Sequence, residues 1–208
     1  MDEIRDKIQR TMRSHTSPFT TRESGGELRI EGYFAVFNSN YEIMDNYTES
    51  IAPGAFAETL SGDVRALINH DSTLVLGRTT AGTLELREDE HGLWGSILIN
   101  PNDQDAVNMY NRVVRGDVDQ CSFGFEILDE DVESSLNGSV HWTIKKVRLH
   151  EVSCCTFPAY EETSISARQH DIETIEKRRL DAWREEMRNK LGGKNHGTES
   201  PDAEAQNR

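Results

Sequence analysis

Residues Asp119–Ile127 read DQCSFGFEI. Taken with a two-residue period, Cys121, Phe123, Phe125 and Ile127 fall on one face of a strand, and Ser122, Gly124 and Glu126 on the other. The first face is that of a core strand, with Cys121 as a small buried thiol, as free cysteines commonly are. The second is polar, and Gly124 removes the side chain next but one to Ser122, which would let a substrate backbone come close. A serine on such a face is ordinarily filler. It becomes a nucleophile only if an imidazole lies within hydrogen-bond reach and a third group orients that imidazole.

Outward from this strand the pattern stays β-rich. Upstream, the period changes at Asn102: Ala106, Val107, Tyr110, Val113 and Val114 recur at helical spacing, with Asn102 or Asp103 as N-cap and Gly116 just past the end. Earlier still, LVLGRTTAGTLELREDEHGLWGSILI reads as a meander of three strands with turns at Gly77–Gly82 and His91–Gly92. DVRALINHD is a strand ending at His70 and Asp71. IAPGAFAETL is a short helical pattern behind Pro53 and Gly54, and ELRIEGYFAVF a strand with a bulge near Gly32. Downstream, DEDVESSLNGSV is a polar loop, and VHWTIKKVRLHEVSCCTF gives one or two strands closed by Pro158. The ends differ from this body. Residues 1–22 read as a flexible arm in which Pro18 ends any helix, 170–191 as a partly amphipathic helix able to dock through Trp183 and Met187, and 192–208 as a tail with too little apolar surface to order itself.

Composition narrows the function classes. The chain has 208 residues, enough for a real core, yet is only 35% hydrophobic and 29% charged, as expected of one domain with polar ends. Its formal charge of −14 sits on the body, Glu23–Gln169, because basic and acidic groups nearly balance in 1–22 and in 170–208. Such a body is repelled by nucleic acid backbones and anionic membranes, so neither is expected as a partner. Three cysteines, Cys121, Cys154 and Cys155, make no CxxC pair and an odd total, which signals neither a disulfide framework nor a zinc site. No apolar run approaches the roughly 18 residues of a membrane span, and the N-terminus lacks a signal-peptide core.

Among the histidines, His70 is the candidate base, flanked by Asn69 and Asp71. His91 reads as a turn residue, His141 as a strand surface residue, and His15, His170 and His196 fall in the arm, helix and tail. His150 adjoins Glu151 in RLHEVS, and either can complete a triad; alternation puts Glu151 on the polar face with Ser153 and His150 with Val152 and Cys154. A metal reading of His70–Asp71 lacks a second ligand at a familiar spacing, and the acidic runs REDEH and LDEDVE lack EF-hand spacing.

The ordered set GYFAVFN, IAPGAF, LINHD with LGRT and GTLEL, SFGFEI, and LHEVSCCTFPAY resembles the prohead maturation proteases of tailed bacteriophages, serine peptidases similar in fold to the herpesvirus assemblin proteases. The likeness runs from Glu27 to Ser166, within a protease domain taken as 23–169. It implies an α+β fold with a mostly antiparallel β-barrel core surrounded by helices. It makes His70 the general base, Ser122 the nucleophile and Glu151 the third member; assemblin-type enzymes use a second histidine in that role, which keeps His150 as a rival. It implies no cofactor and no metal. As partners it implies the major capsid protein precursor with its scaffold segment, and a second copy of the chain as a dimer. The place of action is the host cytoplasm, inside the prohead, with self-cleavage in the arm or tail. Cys154 and Cys155 depart from the family's more usual aliphatic pair, a difference expected to alter packing and not chemistry. The alternative from another class is a noncatalytic capsid-assembly or scaffolding protein with a protease-like fold, whose mark would be a missing triad residue; none is missing.

Overall fold

Alternation along the central strands sets the architecture. The computed structural model describes residues 11–16, 19–135, 138–157 and 161–192. Pro18, Pro158 and the tail beyond Gly192 lie outside the described residues. Eleven strands are described: β1 Thr11–Thr16, β2 Thr20–Ser24, β3 Glu27–Val36, β4 Tyr41–Met44, β5 Tyr47–Ile51, β6 Arg65–Ile68, β7 Asp71–Arg78, β8 Leu84–Glu88, β9 Gly92–Ile99, β10 Gln120–Ser134 and β11 Val140–Cys155. Helix α1 spans Gln104–Arg115 and α2 spans Glu161–Gly192.

The strands form two sheets. One runs β1-β10-β11-β5-β4, with β6 also on β11 and β7 on β6; the other runs β2-β3-β9-β8. The α+β class holds. The expected closed barrel is not shown: among the described residues no strand pairing joins the two sheets, and the α-helices are α1 and α2. The supposed meander is divided, because β7 pairs with β6 in the first sheet while β8 and β9 form a hairpin in the second. The core lies where the sheets' apolar faces and α1 meet, with Phe34, Leu93 and Ile97 from one sheet, Phe123, Phe125 and Val152 from the other, and Met109 from the helix. Phe123 stacks on Phe125 at 4.9 Å and meets Phe56 edge-on at 5.7 Å.

Three local readings change. The polar run after β10's core segment is strand and not loop: Asp129–Ser134 pairs with Val140–Lys146 as an outer, largely exposed strand, while Val140, Trp142 and Ile144 across from it are buried. Register shifts at Gly124/Phe125, Ile127/Asp129 and Asp129/Glu130 separate this outer segment from the buried start of β10. The segment after Pro53 is a series of tight turns, with Ala57 N bonded to Gly54 O and Thr59 N to Phe56 O, too short to nucleate a helix. Within the segment read as an arm, β1 pairs antiparallel with β10 and β2 with β3, because a mixed polar strand at a sheet edge needs backbone partners more than an apolar pattern.

Helix α1 has the predicted caps. The Asp103 carboxylate accepts from Asp105 N and Ala106 N, and Gly116 takes a left-handed φ of 82° that lets its N–H reach Val113 O at 3.0 Å. By backbone proximity the chain divides into two units, Met1–Ala167 and Arg168–Arg208, each considered by itself. The second holds most of α2, on which Arg184–Asp181 and Lys190–Glu186 pair along the helix and Trp183 is 55% exposed.

Candidate active site

Strand β11 carries the site, because it lies between β10 on one side and β5 and then β6 on the other. It pairs antiparallel with β10, putting Ser122 opposite Ser153 and Gly124 opposite Glu151. Along its other edge it pairs parallel with β6, Glu151 with Arg65 and Cys154 with Ile68. Directly opposed residues share a face, so Ser122, Ser153 and Glu151 project to the same side.

His70 is not at the end of a strand, as its sequence position suggests, but in the two-residue turn between β6 and β7. Asn69 and His70 have φ of 50° and 62°, both left-handed, the pattern of a type I′ hairpin turn. Asparagine suits such a position; a histidine there is uncommon, at a cost of about 1–2 kcal/mol. The turn is tied to β11 by Asn69 N to Cys154 O at 3.0 Å, Thr156 N to Asn69 Oδ1 at 2.9 Å and His70 N to Ser153 Oγ at 3.2 Å. Held this way, the imidazole lies over Glu151, with Nδ1 2.7 Å from Oε1. A carboxylate at that distance requires Nδ1 to carry the proton, which in the neutral ring leaves Nε2 as the unprotonated nitrogen. The ring is 18% exposed and the Glu151 side chain 8%.

Ser153 ties this arrangement together. Its hydroxyl donates to Glu151 Oε2 at 2.6 Å while accepting from His70 N, so one buried oxygen fixes both the carboxylate and the backbone of the histidine. Gly124 belongs to the same arrangement, and not for the reason expected. A Cβ at position 124 would lie 2.5 Å from Glu151 Oε1. The glycine makes room for the carboxylate and does not hold a groove open for substrate.

His150 turns elsewhere, its Nε2 2.7 Å from Glu126 Oε1, so Glu151 and not His150 faces His70. Ser122 is fully buried, and its hydroxyl donates to the Arg13 carbonyl of β1 at 2.8 Å. Among the described residues no hydrogen bond joins Ser122 to His70. Instead His70 Nε2 is 3.7 Å from Cys155 Sγ, a contact the sequence gives no hint of. Burial, and then the Glu151 charge, push the Cys155 thiol up to about 12, so it stays protonated at neutral pH and is a poor nucleophile. Cys121 is buried with Phe123 and Phe125, and its Sγ is 3.1 Å from Tyr33 O.

The other motifs have structural partners. Asp71 accepts from Thr73 N at 2.8 Å and Thr73 Oγ1 at 2.6 Å; Asp89 accepts from Tyr33 Oη at 2.7 Å; Asp131 pairs with Lys145 at 2.9 Å. Among the described residues no group of three or more His, Cys, Asp or Glu side chains is placed to hold a metal ion, and no helix is long and apolar enough to cross a membrane. Sequence reasoning misses Ser153, although it stands two residues from Glu151 on the same strand face, and misses Arg13 and Glu49, which are far apart in the chain and meet only in the fold.

Comparison with known proteins agrees with the resemblance. The family model described as caudovirus prohead serine protease matches residues 17–178. The prohead protease of Enterobacteria phage HK97 is 32% identical over 160 residues, covering 74% of this chain and 66% of that protein, so the chain spans just under two thirds of its relative's length. The solved bacteriophage T4 capsid assembly protease gp21 aligns over 71% of this chain and 96% of its own, at a TM-score of 0.47 and 10% identity, too distant to bear on the site. On the family match and the identity to the HK97 protein, the chain belongs to the caudovirus prohead serine protease family.

Proposed function

We propose that the chain is a serine endopeptidase of capsid maturation, acting inside the phage prohead on the capsid precursor and its scaffold segment, and on itself. Ser122 is the nucleophile, His70 the base and Glu151 the group that orients and charges the imidazole. The observation that carries this reading is the Glu151–His70 pair, 2.7 Å apart, anchored on the strand that directly faces the serine. For reaction the Ser122 hydroxyl turns from the Arg13 carbonyl towards His70 Nε2 and passes its proton there as Oγ attacks a peptide carbonyl. The imidazolium, stabilised by Glu151, then protonates the leaving amine. Water resolves the acyl-enzyme by the same route in reverse.

The test is co-expression with the capsid precursor encoded beside it, read by intact mass. Wild type and Cys121→Ala are expected to trim the precursor at a defined position, and Ser122→Ala to leave it whole. Shells that assemble from uncut precursor with all three proteins would instead make this a scaffolding protein.

A further inference from the structure

Strand β1 lies along the nucleophile strand as an extended peptide. It is an edge strand, antiparallel to β10, with Met12 opposite Gly124, Arg13 opposite Phe123 and Ser14 opposite Ser122. Without it, Gln120–Phe125 would present an open row of backbone donors and acceptors, the kind of edge that takes up a foreign strand. Two features make this more than ordinary edge pairing. The Ser122 hydroxyl is bonded to one backbone atom of β1, the Arg13 carbonyl oxygen, at 2.8 Å. The side chain of that same residue is inserted into a charged pocket: Nη2 lies 2.8 Å from Glu49 Oε2, Nε bonds Oε1, and the guanidinium sits over the Tyr41 ring at 5.4 Å. Arg13 is 3% exposed and Glu49 1%.

A buried two-pronged carboxylate–guanidinium pair stabilises a fold no better than apolar packing of the same volume, but it discriminates strongly for one charge. From this geometry we infer that β1 occupies the substrate position, that Glu49 is the specificity residue for a basic side chain just before the scissile bond, and that Arg13–Ser14 is the chain's own processing bond. The inference rests on Ser122 being the nucleophile. The chemistry balances with water as co-reactant. Ser122 Oγ, giving its proton to His70, bonds to the Arg13 carbonyl carbon. The Arg13–Ser14 C–N bond then breaks as the Ser14 nitrogen takes that proton, and water hydrolyses the Arg13 ester to restore the serine. Departure of residues 11–13 frees the Phe123–Phe125 edge of β10 and the Glu49 pocket for an extended segment of another chain, one with Arg or Lys ahead of its cut.

Two readouts test this. In co-expression with the capsid precursor, intact mass of the protease should show residues 1–13 lost from wild type and from Arg13→Lys, and retained in Ser122→Ala and Arg13→Glu. With processed wild-type enzyme, a synthetic peptide of residues 8–20 should be cut after its Arg13. A copy with norleucine there should lose on the order of 100-fold in kcat/KM, because Glu49 is then left buried without its partner. This series needs no altered enzyme, so a misfolded variant cannot obscure it. A Glu49→Arg enzyme should invert the preference towards a glutamate peptide. Ser122-dependent trimming of the precursor after non-basic residues, or a norleucine peptide cut as fast as the arginine one, overturns the inference and leaves the protease reading standing. Ser122-dependent cutting of the peptide by a chain that keeps residues 1–13 overturns the processing bond. Failure of any Ser122-dependent cleavage removes both readings.

Discussion

Replacing Gly124 with alanine puts one methyl group against the Glu151 carboxylate. The new Cβ would lie 2.5 Å from Glu151 Oε1 and 3.3 Å from its Cδ, where ordinary contact begins at 3.4 Å. Relief requires Oε1 to retreat by about an ångström, and it can, because it is the far end of a side chain. What holds that oxygen in place is the 2.7 Å bond to His70 Nδ1, which the retreat stretches past useful hydrogen-bond length. A displacement of that size within a catalytic constellation costs on the order of 100-fold in rate, or about 2.7 kcal/mol of transition-state stabilisation. The expected outcome in steady-state peptide cleavage is a kcat lower by about two orders of magnitude, with KM nearly unchanged and thermal unfolding close to wild type. If Gly124 instead kept a path open for substrate, the methyl group would obstruct binding. A raised KM with intact kcat would therefore refute the role assigned to Gly124 as the space for the carboxylate.

Ser153→Ala removes the donor to Glu151 and the acceptor for His70 N, so about 1–3 kcal/mol of stability should be lost in denaturant titration, with kcat falling at least tenfold. Cys155→Ala should retain activity within a few-fold in the same peptide assay, since the thiol beside His70 is protonated at neutral pH. Its folded value is raised from 9.0 to about 12, so the stability it contributes is complete below pH 9 and lost as pH rises towards 12; the alanine variant should lose less on alkaline titration. Asp63 is the opposite case. Hydrogen bonding to Arg78 lowers its carboxyl from 3.8 to about 2, so its contribution is present above pH 4 and lost as pH falls towards 2, and Asp63→Asn should flatten that part of the acid unfolding curve.

The sequence is most informative where side-chain pattern and backbone demand agree. The alternation of DQCSFGFEI sets the core face of β10 correctly, and Asp103 and Gly116 mark both ends of α1. Glu151 is preferred to His150 because alternation places it with Ser153, and the structure sets it against His70. Pattern misleads where polarity is taken for irregularity. Asp129–Ser134 is polar because it is the outer, exposed strand of its pair, and β1 because its partner is a backbone edge; neither leaves an apolar signature. Gly124 misleads because a glycine shows that a side chain is excluded without showing what excludes it. The Arg13–Glu49 pair joins residues 36 apart, and nothing local to either residue announces the other.

The displaced register at Gly124/Phe125 and beyond acts as a mechanical fuse. Side chains change face with every one-residue slip, so if β10 slid by one position along β11, Cys121 would replace Ser122 opposite Ser153 and the proposed nucleophile would leave the site. Three irregularities stand between that pairing and the far end of β10, and each can absorb a local change of length before it reaches residue 122. The Asp129–Ser134 end of β10 is thus insulated from Ser122, and a pairing of different length there is compatible with an unchanged candidate site.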